Sequence, residues 1–462
     1  MTEKLLYNLI SKLPQTLRYA LKEATGKMYY RSVLLSKIKK YPIVKPKKDK
    51  AKNILFINTI AGRGGAAKAA YEMLCEPLRE QKAYNTDILV AEDYIKTNKH
   101  IHLLKPDESK WQELLFEVGN KLGYQDFFHL NSFGIKGTEV FKSCDILHLH
   151  NMHGGYFSPF ALPELTALKP TIWTLHDEHT LTGHCACFYD CEKWITGCEN
   201  CPDLAGYPEI ENDSTNLIWH LKQKIYENSN ITFVCPSNWL KTEAQKGLLK
   251  NQDIRLIPNG IDENIFYNFD KIQMRKELGL PIDKKILMFS ASGGTLNPQK
   301  GGWYIKQVVE YYKNRDDILL MSLGTMEEKM KEGNFLDIAF TSSQEELAKY
   351  YSASDLFIYP TLTDNLPFVV LESLSCGTPV ISFNTGGVPE EIEHMKTGYI
   401  ANYKDTEDFI KGIDIFLNDE NLMEKACKEA RKSILKTFTK DKAVDNYINL
   451  YDEIYEKTKK GS

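Results

Sequence analysis

The stretch TLTDNLPFVVLESLSCGTPVISFNTGGVPE (361–390) reads as loop, helix, strand and turn in succession. A strand, DLFIYP (355–360), ends at Pro360, and Asp364, Asn365 and Leu366 occupy the short loop after it. A helix starts near Pro367, a favoured first-turn residue, and stops at Gly377, which suits a helix C-terminus. TPVISF (378–383) is the next strand. Two short apolar strands joined through a helix predict a parallel sheet covered on both faces. Asp364 stands before the helix and Glu372 about a turn and a half inside it. A helix N-terminus offers amides and a partial positive charge to a phosphate. A carboxylate one turn further on could accept both hydroxyls of a ribose. The plainer alternative makes Asp364 a helix cap and Glu372 a solvated helix residue.

The same alternation extends outward in both directions. On the N-terminal side lie NILFIN (53–58), TDILVA (86–91), DILHLH (145–150), TIWTLH (171–176) and ITFVC (231–235). A second series comprises IRLIPN (254–259), KILMFSA (285–291), DILLMSLG (317–324), LDIAFT (336–341), DLFIYP and TPVISF. Two such series predict two doubly wound α/β domains, whose ligands sit beyond the carboxyl ends of the strands. The expected organisation is a basic amphipathic extension over 1–52, one domain over 53–250 and a second over 251–440. A last helix over 441–460 carries Val444, Tyr447, Ile448, Tyr451 and Tyr455 at helical spacing and could complete the first domain. In the extension, Leu5, Leu6, Leu9, Ile10 and Leu13 form one stripe up to Pro14. A second stretch runs from Met28 to Ile38, before the Pro- and Lys-rich linker YPIVKPKKDKAK (41–52).

Composition narrows the class. With 462 residues, 42% hydrophobic and 26% charged, the chain is an ordinary folded protein rather than a disordered or collagenous one. No run reaches the roughly 18 apolar residues of a transmembrane helix. The N-terminus lacks a signal-peptide core, so a cytoplasmic location is expected. The net charge of −4 hides an asymmetry: residues 1–52 carry +11 and the rest −15. The acidic body argues against a nucleic-acid partner. The basic, apolar-striped extension suggests an anionic membrane surface, with a solvated arm or a helix packed on the first domain as the alternative.

Five of the ten cysteines fall in HCACFYDCEKWITGCENCP (184–202). Cys185, Cys191, Cys198 and Cys201 have spacings that could hold a structural zinc tetrahedrally. Free buried thiols and a disulfide are the other readings.

Asp364 and Glu372, separated by seven residues and followed by CGTPV and NTGGVPE, resemble the signature of retaining family 4 glycosyltransferases. The run DNLPFVVLE is similar to the branch that builds bacterial surface polysaccharides, the colanic acid and capsule transferases. NTIAGRGGAAKAAYEM (58–73), HLHNMHGGY (148–156) and TLHDEHTLTGHC (174–185) match further segments of that branch. The resemblance implies the GT-B fold, two facing Rossmann-like domains, and transfer of a sugar from a nucleoside-diphosphate sugar, with UDP or GDP as the nucleotide, to a glycan or lipid-linked acceptor. It implies that Gly64 and Gly65 approach the donor phosphates. It further implies that His176 contacts the donor sugar, that His153 binds substrate, and that Lys300 in NPQKGG binds the diphosphate. Glu372 would hold the ribose, with Asp364, Asn365 and Leu366 near the donor. Lys300, His176 and Asp364 are the candidate catalytic residues. The chain departs from the family pattern at Asp364, where Glu is usual, and at Gln299, where Arg is usual. Retention with no enzymic nucleophile and no metal in the chemistry is also implied, at the inner face of the cell membrane. A buried structural histidine is the alternative for His176.

Three rival readings remain. Gly62, Gly64 and Ala67 satisfy G-x-G-x-x-A after a first strand, and Glu92 and Asp93 stand where a dinucleotide fold places its ribose acid, so an NAD-dependent dehydrogenase is one. A sugar-nucleotide-binding protein without catalysis is another. A sugar-nucleotide epimerase of the same fold is the third.

Overall fold

The computed structural model describes residues 35–461 apart from 47, 106–109, 125 and 326–329, together with Gln15. The apolar stripe Leu5–Leu13, Pro14 and the Met28–Leu34 stretch lie outside the described residues. The chain forms two compact units. The first comprises residues up to Cys235, Lys241–Leu256 and Asn446–Ser462, and the second Pro236–Leu240 and Ile257–Asp445.

The first unit is built on β1 (Asn53–Ala61), β2 (Asn85–Asp93), β3 (Ile101–Leu103), β4 (Ile146–Leu149), β5 (Thr171–Thr174), β6 (Ile231–Cys235) and β7 (Asp253–Leu256). They form one parallel sheet in the order β3-β2-β1-β4-β5-β6-β7. The central strands are buried and largely apolar because helices cover both faces. Ile54, Leu55, Phe56 and Ile57 of β1 are no more than 1% exposed. IRLIPN, expected to open the second series, instead supplies the edge of this sheet, with Leu256 opposite Cys235. Only Asp253–Leu256 are extended, and all four residues are half-buried, as an edge strand requires.

The second unit uses β8 (Lys285–Ser290), β9 (Ile318–Thr325), β10 (Met330–Glu332), β11 (Phe335–Ala339), β12 (Leu356–Tyr359), β13 (Val380–Phe383) and β14 (Gly398–Ala401). Their order is β10-β11-β9-β8-β12-β13-β14. The β10–β11 hairpin is antiparallel and every other pairing parallel. Both sheets therefore reverse direction of winding beside their first strand. The switch falls between β1 and β4 in one unit and between β8 and β12 in the other, where open α/β sheets bind ligands.

The helix Lys440–Lys460 belongs to the first unit from Asn446 onward. Tyr447 and Tyr451 are buried, and their hydroxyls meet Thr174 Oγ1 at 2.8 Å and His148 Nδ1 at 2.7 Å. The segment read as a linker is docked rather than free. Val44 N donates to Ala167 O at 2.8 Å, Lys48 pairs with Asp145 at 2.8 Å, and the Tyr455 hydroxyl donates to Lys48 O at 3.1 Å. Among the described residues no helix is long and apolar enough to cross a membrane.

Candidate active site

In the second unit, the loops after β8 and β12 meet. Lys300 Nζ lies 2.8 Å from both carboxylate oxygens of Asp364. The Tyr359 and Thr361 hydroxyls donate to Asp364 Oδ2 at 2.7 and 2.9 Å. Asp364 is thus not a helix cap. The helix Phe368–Ser375 begins after Pro367 with no side chain capping it.

Local sequence explains the meeting. Gly301 has a φ of 78°, and a Cβ there would stand 1.8 Å from Pro360 O. Only glycine lets the Lys300 loop lie against the end of β12. Leu362 N donates to Gln299 O at 2.9 Å and closes the junction. On the far side, Gly386 has a φ of 55°, and a Cβ there would meet Asp364 O at 1.8 Å. Gly387 N donates to that same oxygen at 3.0 Å.

The neighbouring candidates divide. Asn365 is buried, and its Oδ1 accepts the Ser237 hydroxyl at 2.5 Å. Leu366 is buried, and its carbonyl accepts Asn259 Nδ2 at 3.0 Å. Glu372 is buried rather than solvated, and its Oε2 accepts the Tyr351 hydroxyl at 3.1 Å. Sequence reasoning missed Tyr359 and Thr361. It also missed Glu391, which is 2% exposed with neither carboxylate oxygen hydrogen-bonded among the described residues. Burial, then the Asp364 and Glu390 carboxylates, push the Glu391 carboxyl well above its ordinary range. Glu391 stands in the charged run PEEIEH (389–394), which carries no signal that its side chain turns inward.

In the first unit, the candidates also sit at strand ends. Gly64 has φ 88° and ψ 162°, closed to other residues, and space is open above both Gly64 and Gly65. A helical run from Gly65 follows, with Lys68 N donating to Gly64 O at 3.0 Å. His153 Nε2 lies 2.8 Å from Asp177 Oδ2. Burial works to lower the His153 pKa, but the Asp177 carboxylate outweighs it and the value is raised. Burial opposes ionisation of Asp177, while His153 draws its pKa down. His176 is half-exposed, and burial lowers its pKa to about 4, so it is neutral at pH 7. Glu92 and Asp93 are engaged locally: Glu92 Oε2 accepts the Tyr94 hydroxyl at 2.7 Å and Asp93 Oδ1 accepts Ile95 N at 2.8 Å.

Cys185, Cys191, Cys198 and Cys201 form no disulfide, and among the described residues no three or more His, Cys, Asp or Glu side chains are grouped as metal ligands. Cys198 Sγ accepts Gly183 N at 3.2 Å, and Cys201 Sγ lies 3.4 Å from His184 Nε2.

These features define an α/β protein with an anion-directed lysine at one switch point and a histidine–aspartate cluster at the other. Residues 270–433 match the family model of glycosyl transferases group 1, and residues 116–265 match that of glycosyltransferase family 4. The chain belongs to the family 4 glycosyltransferases of GT-B fold. This replaces the dehydrogenase reading of the Gly62 loop.

Two curated relatives and one solved structure illustrate the likeness. N-acetyl-alpha-D-glucosaminyl L-malate synthase of Bacillus anthracis is 28% identical over 49% of this chain, and the match spans only 60% of that relative. WcaC of Escherichia coli (strain K12), named for colanic acid biosynthesis, is 25% identical over 74% of this chain and 85% of its own length. The crystal structure of Anabaena HepE in complex with UDP superposes with a TM-score of 0.58, covering 87% of this chain and all of that one at 14% identity. At that identity the likeness shows the fold alone.

Proposed function

We propose that the chain is a retaining glycosyltransferase that moves a sugar from a nucleoside-diphosphate sugar to a glycan or lipid-linked acceptor of a surface polysaccharide. The Lys300–Asp364 pair at the second unit's switch point carries this reading. An ammonium has three donors, and Asp364 aims the group while leaving donor capacity for a phosphate oxygen. The uncapped N-terminus of Phe368–Ser375 adds a partial positive charge close in sequence. Together they stabilise the charge that grows on the diphosphate as the glycosidic bond breaks. Asp364, held by an ammonium and two hydroxyls, positions Lys300. Glu372 takes the ribose, with Tyr351 orienting its carboxylate. His176, neutral at pH 7, is the candidate for contact with the donor sugar, and His153 for substrate binding.

The nucleotide is UDP or GDP, and the WcaC likeness favours a polysaccharide acceptor. The basic segment before residue 53 would hold the enzyme against an anionic membrane at its cytoplasmic face. Sedimentation with phosphatidylglycerol vesicles tests that, and equal binding by a chain lacking residues 1–34 would reject it.

The activity is tested by incubating the full chain with a panel of nucleotide sugars and following release of the diphosphate and the anomeric proton by NMR. One donor should be consumed with its anomeric configuration kept. Lys300→Ala should slow that turnover by about 100-fold or more. Consumption of no donor, or inversion of the anomeric centre, would contradict the reading.

A further inference from the structure

His150 stands just beyond β4 in the first unit and has no part in the function described so far. It is 1% exposed. Its backbone is fixed on both sides: N donates to Ile57 O at 2.9 Å, and O accepts Trp173 Nε1 at 2.7 Å. Its ring packs on Phe56 and against His148. His150 Nδ1 meets His176 Nε2 at 2.8 Å. The two ring centroids are 5.1 Å apart with a 13° angle between planes. A separation so much longer than the N···N distance places the rings edge to edge in one plane, nitrogen to nitrogen.

Two proton arrangements fit this contact. In one, His176 Nε2–H donates and the neutral His150 carries its proton on Nε2. That nitrogen is buried with no hydrogen-bond partner among the described residues. In the other, His150 Nδ1–H donates and the buried Nε2 is only an unfilled acceptor. Buried N–H groups without partners are rarer than unfilled acceptors, so the second arrangement is favoured. His148 cannot rescue the first, because its two nitrogens are taken by the Tyr451 and Thr174 hydroxyls at 2.7 and 2.8 Å. Both rings are neutral: burial, then His148 and His176, hold His150 well below its ordinary value, and burial lowers His176 to about 4.

We infer that His150 is a positioning residue that fixes His176 as the Nδ1–H tautomer, making the half-exposed His176 ring a hydrogen-bond donor to a hydroxyl oxygen of the sugar substrate. The inference rests on the donor-sugar role proposed for His176. The tautomer of a neighbouring ring is commonly set by the partner of its other nitrogen, and here that partner is held rigid by β4, Phe56 and Trp173.

The test is histidine side-chain NMR on the full chain, with His176 assigned by difference against His176→Gln, and turnover of His150 variants. Wild type should show the Nδ1–H tautomer at His176. His150→Asn, whose amide nitrogen can stand near the lost Nδ1, should keep that tautomer and stay within about threefold of wild-type kcat. His150→Leu should lose the single tautomer and fall about tenfold or more in kcat. An Nε2–H tautomer at His176 in wild type overturns the inference without any variant having to fold. Equal turnover by the Leu and Asn variants overturns it too. If wild type consumes no nucleotide sugar, the proposed function fails, while the tautomer still decides the relation of His150 to His176.

Discussion

Asp364 takes the Lys300 ammonium across both oxygens and hydroxyl protons from Tyr359 and Thr361. A carboxylate so fully occupied acts by holding the lysine. The sequence shows both residues in loops, but nothing in either loop says that their side chains meet. The meeting follows from β8 and β12 being neighbours in the sheet although β9 to β11 intervene in the chain. A second buried pair serves stability. Arg275 Nη2 lies 2.7 Å from Asp355 Oδ2, and Ile286 N donates to the same oxygen at 2.7 Å. Burial works to raise the Asp355 pKa, but Lys271 and Arg275 outweigh it and hold it below the ordinary carboxylate value. A depressed folded-state value gives stability that is full above the unfolded pKa of about 3.9. That stability is lost as the pH falls below it through the folded value. Asp355→Ala leaves the buried Arg275 charge with only the carbonyls of Ala353, Ile282 and Lys284 as acceptors and should cost roughly 3–5 kcal/mol at pH 7, measured by urea unfolding. The difference from wild type should shrink as the pH falls below about 4. A pH-independent difference would contradict the assignment.

At the scale of elements, the helix Phe368–Ser375 and the strands on either side of it are legible, because apolar runs and Pro and Gly punctuation mark them directly. The strands β3 and β10 are three residues long, too short for periodicity to register. β7 was readable as a strand but not as a member of the first sheet, since partner choice is a long-range property. The docking of residues 41–52 is equally hidden, since lysines that pair with Asp145 and the end of the last helix look like lysines in solvent. The loop from β8 to Lys300 makes a sharper prediction. Gly301→Ala places a methyl against Pro360 O and strains a φ of 78°. The Lys300 amine should be displaced and nucleotide affinity should fall about tenfold or more, roughly 1.4 kcal/mol or above, by titration calorimetry. Unchanged affinity would mean that the loop does not set the lysine.

At the scale of the whole molecule, the chain finishes by returning to the unit in which it began. The helix Lys440–Lys460 buries Tyr447, Leu450, Tyr451, Ile454 and Tyr455 in the first unit. At about 1.5–3 kcal/mol for each buried side chain, these five contribute on the order of a domain's entire stability, about 5–15 kcal/mol. Removal of residues 446–462 should leave the first unit unfolded and open to proteolysis. A protease-resistant first unit would show that the helix is dispensable. The spacing of the tyrosines announces an amphipathic helix, but only the structure shows Tyr447 and Tyr451 reaching the hydroxyl of Thr174 and the ring of His148.

The central claim is that the second unit grips a nucleoside diphosphate through Lys300. The most direct measurement is the melting shift of the full chain with UDP, GDP, CDP, ADP and NAD, on wild type and on Lys300→Ala. A ligand at 100 times its dissociation constant stabilises by roughly 2.7 kcal/mol. One nucleoside diphosphate should raise the wild-type melting temperature and leave Lys300→Ala unmoved. A shift that survives in Lys300→Ala, or one given by NAD alone, would contradict the account.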